Sequence, residues 1–353
     1  MTYMGDGSAT IPRGPGTANG PTAPPHDRQP RPRWPESRHY AALDLGTNNC
    51  RLLIARPQGG GFAVVDAFSR IVRLGEGLAS TGRLSDAAIE RTLVALKVCA
   101  DKLKRRNVTL ARSVATEACR QATNGAEFIE RVYRETGIAL DVITAEEEAR
   151  LAVLGCHALL EPGDGPAIVF DIGGGSTELV LVDSQVPVPR ILDWHSAPWG
   201  VVSLTEAVGR PGPGSEGLAA LYADMRARVE ASFAPFRDRL QAPAGTPRLL
   251  GTSGTVTTLA SVHLELAAYD RSVIDGLIVP TAAMRDVSTR LSGMTLAERS
   301  QVPCIGAERA DLVVAGCAIL ETILDLWPAA RLGIADRGIR EGILRRLMNG
   351  RML

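Results

Sequence analysis

The sequence predicts an α/β protein with two duplicated domains that face each other across a cleft. The main observation is an internal repeat, because Asp44-Leu-Gly-Thr-Asn-Asn-Cys-Arg-Leu-Leu-Ile and Asp171-Ile-Gly-Gly-Gly-Ser-Thr-Glu-Leu-Val-Leu align without a gap at an offset of 127 residues. The length of 353 residues also exceeds one ordinary domain. A repeat found once in each half indicates duplication of a whole structural unit rather than a solenoid.

The ordered part of the chain is expected to begin near Tyr40. Residues 1–38 hold eight of the 22 prolines and show no apolar periodicity, so they predict a disordered tail. The apolar stretches on either side of Gly46 predict a strand, a tight turn and a second strand. Residues 62–66 and 69–74 are expected to continue this first sheet.

Helices and strands are predicted to alternate through the rest of the chain. Ser85 is the expected N-cap of a helix in which Ile89, Leu93 and Leu96 fall at helical spacing. A strand ends before Glu117, and residues 140–144 form another strand that leads into a helix over 146–160. The predicted N-terminal domain spans 39–135 and is completed by 335–353, while the C-terminal domain spans 136–334.

The composition excludes several classes of function. Basic and acidic residues number 39 each, so no basic excess indicates a nucleic-acid surface, and no apolar run is long enough to span a membrane. None of the three lysines follows a glycine, which excludes a Walker-type phosphate loop. The six cysteines form no Cys-x-x-Cys pair and predict reduced thiols in a cytoplasmic protein. The five histidines form no zinc-type cluster.

The repeated turns are predicted to bind phosphate. Glycines allow a tight turn with positive φ and close approach of a ligand, and successive backbone N–H groups form a concave anion site. The predicted phosphate-binding residues are Gly46, Thr47, Asn48 and Asn49 in the first turn, Gly173, Gly174, Gly175, Ser176 and Thr177 in the second, and Gly251, Thr252, Ser253 and Gly254 in a third glycine-rich turn. Asp44 and Asp171 are predicted to hold Mg²⁺ or Mn²⁺, because a carboxylate repels phosphate unless a metal bridges them.

These segments resemble the exopolyphosphatase / guanosine pentaphosphate phosphohydrolase (Ppx/GppA) family, over about residues 40–349. The matching segments are Ala42-Leu-Asp-Leu-Gly-Thr-Asn-Asn, Arg73-Leu-Gly-Glu-Gly-Leu, Val114-Ala-Thr-Glu-Ala-Cys-Arg, Thr144-Ala-Glu-Glu-Glu-Ala-Arg-Leu, Phe170-Asp-Ile-Gly-Gly-Gly-Ser-Thr-Glu-Leu, Gly251-Thr-Ser-Gly-Thr and Asp336-Arg-Gly-Ile-Arg-Glu-Gly-Ile-Leu. The resemblance implies an actin/hexokinase/Hsp70-like (ribonuclease H-like) fold in its short two-domain form. It also implies a homodimer and Mg²⁺-dependent release of orthophosphate from polyphosphate or guanosine pentaphosphate.

A carboxylate is needed to orient the attacking water in such a reaction. Glu117 is the predicted base, and the family assigns this role to an acid near this position. The family match also suggests that Glu147 or Glu148 helps to hold metal or water. For all three, the alternative is a glutamate favoured by the dipole at a helix start. Arg120 is predicted to turn its guanidinium toward phosphate. Arg51 is expected either to contact substrate or to lie on the strand surface, and the surface position is favoured.

Two other functions are compatible with the same motifs. A sugar or acid kinase shares the superfold, although no sugar-binding signature is present, and a non-catalytic polyphosphate or alarmone sensor would use much of the same site. Among substrates, inorganic polyphosphate is favoured over guanosine pentaphosphate. Aromatic residues make up only 4% of the chain, and none lies within the glycine-rich motifs, so no pocket for guanine is indicated.

Overall fold

The computed structural model describes residues 38–184, 189–211, 214–240 and 247–349. Residues 1–37 of the predicted tail lie outside these ranges. The strands are β1 (His39–Leu45), β2 (Asn49–Gln58), β3 (Gly61–Ile71), β4 (Val108–Ala115), β5 (Leu140–Val142), β6 (Pro166–Ile172), β7 (Thr177–Asp183), β8 (Arg190–Ala197), β9 (Arg248–Thr252), β10 (Ile278–Pro280) and β11 (Arg331–Ala335). The helices are α1 (Leu78–Thr81), α2 (Asp86–Arg105), α3 (Glu117–Gln121), α4 (Gly125–Thr136), α5 (Ala145–Cys156), α6 (Val201–Val208), α7 (Gly214–Arg239), α8 (Ser253–His263), α9 (Arg271–Ile274), α10 (Thr281–Ser292), α11 (Leu296–Ser300), α12 (Val313–Leu326) and α13 (Ile339–Met348). None of the described helices is both long and apolar enough to cross a membrane.

The two mixed sheets share one topology, as the internal repeat predicts. The first sheet has the order β3-β2-β1-β4-β5, and the second has the order β10-β11-β9-β6-β7-β8. In each sheet the repeated hairpin is antiparallel, and its first strand also pairs in parallel with a later strand, β4 or β9. The hairpin registers match, with Asp44 opposite Arg51 and Asp171 opposite Glu178. The two sheets therefore confirm the predicted fold class.

Two local predictions need correction. Residues 61–71 form one strand where two were expected, and a register shift between Ile54 and Ala55 of the partner strand accommodates its length. Strand β5 pairs with β4 in the first sheet, although the predicted boundary between residues 135 and 136 assigned it to the second domain. A three-residue strand carries too little pattern to show which sheet it joins. The predicted N-cap is confirmed, because the Ser85 hydroxyl accepts the N–H of Ala88 at 3.3 Å.

Helices α5 and α13 pack against each other and connect the two sheets. Leu151 of α5 and Ile343 of α13 lie in the core cluster of β1, whereas Val153 of α5 lies in the cluster of β6 and β7. The two helices touch backbone to backbone at glycines. A Cβ on Gly155 would lie only 1.9 Å from the Gly338 carbonyl oxygen, and one on Gly342 only 2.1 Å from the Leu151 carbonyl oxygen. This contact joins the C-terminal half of α5 to the start of α13, whose first residues line the cleft.

Replacing Gly155 by alanine is expected to lower the free energy of unfolding by about 1–3 kcal/mol, because the new methyl group overpacks the contact with α13. The gain in helix propensity, about 1 kcal/mol, offsets only part of this cost. Denaturant unfolding of the purified variants measures the change. Gly293→Ala is the matched control, because its Cβ would meet only ordinary contacts at 3.6 Å or more. Equal stability of both variants would contradict the close α5–α13 contact.

Candidate active site

The two repeated turns touch each other across the cleft. Each is closed by the same hydrogen bond, from Gly46 N–H to the Asn49 carbonyl at 2.9 Å and from Gly173 N–H to the Ser176 carbonyl at 3.0 Å. A Cβ on Gly174 would lie 3.0 Å from Cβ of Thr47. The predicted facing arrangement of the turns is therefore confirmed.

One of the two expected reasons for glycine in the turns, a positive φ, was wrong. None of the turn glycines, at positions 46 and 173–175, adopts a positive φ. In the second turn glycine is required by close approach, because a Cβ on Gly175 would lie 2.7 Å from Oγ1 of Thr47 and 3.0 Å from Cγ of Glu117. A Cβ on Gly46 would make only an ordinary contact, 3.7 Å from the Asn49 carbonyl oxygen. The absence of side chains thus allows one lobe to contact the other.

Both turns contain backbone donors without a partner. Their carbonyl groups, in contrast, accept hydrogen bonds, since Thr47 O accepts the Gly75 N–H at 2.9 Å and Gly174 O accepts the second N–H of α6 at 2.8 Å. Within the described ranges, the N–H groups of Thr47, Asn48, Gly174 and Gly175 donate no hydrogen bond. Unpaired N–H groups facing a cavity are suited to anionic oxygens.

The third predicted turn is the junction between β9 and α8. Ser253 begins the helix with a positive φ of 94°, and its hydroxyl donates to the Ile172 carbonyl at 2.8 Å. Gly254 lines the cleft at this helix N-terminus, where N–H groups and the helix dipole favour an anion. Gly251, by contrast, lies within β9, and a Cβ there would meet the ring of Phe170 at 2.7 Å.

Most of the predicted site residues line one cavity of about 140 Å³, far larger than a single water requires. The predicted residues in its lining are Asp44, Gly46, Thr47, Asn48, Asn49, Glu117, Glu148, Asp171, Gly173, Gly174, Gly175, Ser176, Thr252, Ser253 and Gly254. The predicted residues outside the lining are Arg120, Glu147, Thr177 and Gly251. The Thr177 hydroxyl is turned away from the cavity, because it donates to the Trp199 carbonyl at 2.6 Å.

Glu147 and Glu148 point in different directions from α5. Oε1 of Glu147 accepts hydrogen bonds from Arg112 at 2.8 Å and Arg346 at 3.0 Å, and the Arg112 contact lowers the pKa of Glu147. Glu148 is buried and accepts Nη1 of Arg120 at 2.9 Å. Of the two alternatives, only Glu148 reaches the cleft.

Arg120 connects two carboxylates rather than lining the cavity. It donates to Oε2 of Glu117 at 2.6 Å, to Glu148 and to the Ile143 carbonyl at 2.8 Å. The i,i+3 spacing on the short helix α3 turns its guanidinium back to Glu117. The structure therefore places Arg120 outside the cavity lining, as a residue that orients Glu117.

Burial dominates the electrostatics of the acidic residues. Desolvation, with Glu178 and Asp44 nearby, raises the pKa of Asp171 to about 7, and burial also raises the pKa of Asp44. Burial and the neighbouring Glu178 raise the pKa of Glu148 well above its usual range. The sequence analysis did not single out Glu178, which is buried opposite Asp171 in the second hairpin, outside the cavity lining. Its carboxylate accepts the hydroxyl groups of Ser176 and Ser196 at 2.7 and 2.9 Å.

The two aspartates fit a magnesium site. Oδ1 of Asp44 is buried and has no hydrogen-bond partner, and the same holds for the side-chain oxygens of Asn48 and Asn49. The described residues contain no group of three or more His, Cys, Asp or Glu side chains placed to hold a metal. Mg²⁺ can be held by one or two carboxylates when phosphate oxygens and waters complete its shell.

Arginines in the cavity wall were missed or misplaced by the sequence analysis. Arg51 lines the cavity rather than an outer strand surface, because the residue directly opposite Asp44 in the hairpin points to the same face. Arg309, Arg337 and Arg340 also line it. In the sequence, Arg337 and Arg340 were indicated only by their place in the segment from Asp336 that resembles the C-terminal motif of the family.

Two duplicated α/β lobes with facing phosphate-type turns and a buried acidic cluster define an enzyme that acts on phosphoryl groups. The chain belongs to the Ppx/GppA phosphatase family, whose model matches residues 53–350.

Relatives and solved structures support this assignment. The chain is 36% identical to exopolyphosphatase 2 of Mycobacterium tuberculosis, with 86% of this chain and 96% of the relative covered. It is 29% identical to the guanosine-5'-triphosphate,3'-diphosphate pyrophosphatase of Aeromonas salmonicida, covering 86% of this chain and 58% of that protein. A solved structure of the Aquifex aeolicus PPX-GPPA enzyme has a TM-score of 0.70 at 31% identity, covering 87% of this chain and 98% of that one.

Proposed function

We propose that the protein hydrolyses the terminal phosphoanhydride bond of inorganic polyphosphate and releases orthophosphate. The observation that carries this proposal is the cavity itself, whose lining contains both turns, with their unpaired backbone N–H groups, and Glu117. The free state of all six cysteines is compatible with a cytoplasmic protein, and the family resemblance further implies a homodimer.

Each part of the cavity has a role in this reaction. The backbone N–H groups of the turns bind the oxygens of the terminal phosphate and stabilise their charge in the transition state. The Glu117 carboxylate accepts a proton from water as the water oxygen attacks phosphorus and the bridging P–O bond breaks. The shortened chain keeps the bridging oxygen. Mg²⁺ or Mn²⁺ bound by Asp44 and Asp171 would neutralise negative charge on the phosphate oxygens.

Glu117 is better suited than Glu148 to act as the general base. A base must be ionised before it accepts a proton, whereas burial and the nearby Glu178 favour the protonated form of Glu148. Glu117 is less buried, and its two oxygens are oriented by Arg120 and Gln121. Its side chain also lies directly against Gly175 of the second turn.

The cavity favours a substrate made of phosphates alone. None of the described residues that line it is aromatic, so no stacking surface for guanine is present there. Because a missing contact in a binding site lowers kcat/KM by about tenfold or more, we expect at least that preference for polyphosphate over guanosine pentaphosphate.

Steady-state phosphate release on both substrates at equal ionic strength tests this preference. A higher kcat/KM for guanosine pentaphosphate would contradict it and leave the hydrolase assignment standing. Release of orthophosphate without any added acceptor separates hydrolysis from the kinase alternative. Binding of polyphosphate without release would indicate the sensor instead.

A further inference from the structure

We propose that Arg73 is a positioning residue for the hydrolysis, because its ion pair with Asp311 connects the first repeated turn to the second lobe. This role deepens the proposed hydrolysis of polyphosphate and presupposes it. Arg73 lies outside the cavity lining, so its effect on the reaction must pass through the residues that it holds in place. It belongs to the strap, the segment of residues 72–77 that connects β3 to α1.

The strap is hydrogen-bonded to the backbone of the first turn. The Asn48 carbonyl accepts the N–H groups of Val72 at 2.9 Å and Arg73 at 3.0 Å, and the Thr47 carbonyl accepts the Gly75 N–H at 2.9 Å. A Cβ on Gly75 would lie only 2.3 Å from Cγ2 of Thr47. Because no space separates the strap from the turn, a displacement of one must displace the other.

The guanidinium group of Arg73 contacts the second lobe through three hydrogen bonds. It donates to both carboxylate oxygens of Asp311, at 2.8 and 3.0 Å, and to the Glu308 carbonyl at 2.9 Å. The next two residues, Leu312 and Val313, lie in the core of the second lobe and also line the cavity. A two-pronged contact between guanidinium and carboxylate fixes orientation as well as distance. Arg73 therefore holds the strap against the cavity wall of the second lobe.

A second contact connects the strap to the helix that supports the second turn. The Gly77 N–H donates to Oε1 of Glu206 on α6 at 2.8 Å. At the start of the same helix, the Val201 N–H donates to the Gly173 carbonyl of the second turn at 3.0 Å. The strap thus links both turns through short series of hydrogen bonds, and its two contacts with the second lobe set the spacing between the turns.

The backbone of the strap is strained at Arg73. Its φ of 48° lies in the left-handed region, which residues other than glycine adopt at a cost. Arg91 holds this conformation from within the first lobe, since it donates to the carbonyls of Val72 at 3.0 Å and Arg73 at 3.2 Å. Glycine would adopt this φ more readily, so the contacts of the arginine side chain offset a cost that glycine would not incur.

The spacing of the turns matters because the terminal phosphate must contact N–H groups of both turns at once. A misplacement of about 1 Å can cost about 10²-fold in rate. Loss of the Arg73–Asp311 pair leaves the contact between Gly77 and Glu206 in place, so we expect a smaller effect, about tenfold, on substrate affinity. The residues that line the cavity are all retained in such a variant.

Calorimetric binding of tripolyphosphate tests this role. The titrations use the Glu117→Gln background with Mg²⁺, in which turnover is slow. Arg73→Gln and Asp311→Asn should each weaken binding about tenfold, and the double variant should bind no more weakly than either single variant, because both changes remove the same contact. Arg73→Lys keeps the charge but not the two-pronged contact, so its affinity should be intermediate.

The matched control is Glu76→Gln. It removes another ion pair of the strap, with Arg91, which stays within the first lobe, so wild-type affinity is expected. A preparation that is partly unfolded would lower the number of binding sites without changing the affinity, and calorimetry measures the two separately. Thermal unfolding checks the fold, and if Arg73→Gln does not fold, Asp311→Asn and Arg73→Lys still give the answer.

Three results would overturn the positioning role. These are unchanged affinity in both Arg73→Gln and Asp311→Asn, losses that multiply in the double variant, and an equal loss in Glu76→Gln. The proposed hydrolysis fails by a different result, which is that the wild-type protein releases no orthophosphate from polyphosphate. The tripolyphosphate affinities would then still show whether Arg73 and Asp311 position the turns.

Discussion

Replacing Glu117 by glutamine is expected to lower kcat for polyphosphate about 10²–10⁴-fold, the usual cost of losing a general base. Glutamine keeps the shape of the side chain and one oxygen that can accept the hydrogen bond from Arg120. Folding and substrate binding should therefore survive, and KM should change little. Phosphate-release kinetics at saturating polyphosphate measure the loss.

Glu147→Gln is the matched control for this variant. It makes the same change on a neighbouring element, but its carboxylate pairs with Arg112 and Arg346 outside the cavity. Near wild-type kcat is expected for it. If Glu117→Gln keeps more than about a tenth of the wild-type kcat, water is activated elsewhere, and Glu148 becomes the first candidate.

The sequence predicted the parts of the site that depend on local pattern. The repeat around Asp44 and Asp171 predicted both hairpins, both turns and their facing arrangement, because glycine-rich turns between apolar strands are strong local signals. The run from Glu146 to Glu148 could not be resolved in the same way. Which of three consecutive glutamates faces a cleft depends on the rotation of α5, and that is set by its packing against α13.

Other parts of the site depend on contacts that are distant in the sequence. Arg340 reaches the cavity only because α13 returns to pack on β1 and α5 at Gly155. Arg51 could have been assigned to the cavity from the first hairpin alone, since a register with Asp44 opposite Arg51 places these two residues on one face of the sheet. Glycine in the turns was expected partly for a positive φ that is absent, and the contact of Gly174 and Gly175 with the other lobe was not foreseen, because it cannot be seen in either half of the repeat.

Replacing Asp44 by asparagine is expected to lower activity at fixed Mg²⁺ by about 10²-fold or more, because a bound metal contributes several kcal/mol to phosphoryl transfer. The buried Oδ1 of Asp44 has no partner among the described residues, so asparagine changes its charge with little loss of hydrogen bonding. Rates measured across a Mg²⁺ titration give the activity. Electron paramagnetic resonance of Mn²⁺ gives metal affinity independently of turnover.

The metal requirement should also depend on pH through Asp171. Its pKa of about 7 means that protons compete with the metal below neutral pH, so the Mg²⁺ concentration for half-maximal rate should rise as the pH falls from 8 to 6. Asp171→Asn should remove this dependence along with most metal affinity. Asp325→Asn is the control, since that carboxylate pairs with Arg285 outside the cavity. Wild-type Mn²⁺ affinity in both Asp44→Asn and Asp171→Asn would place the metal elsewhere.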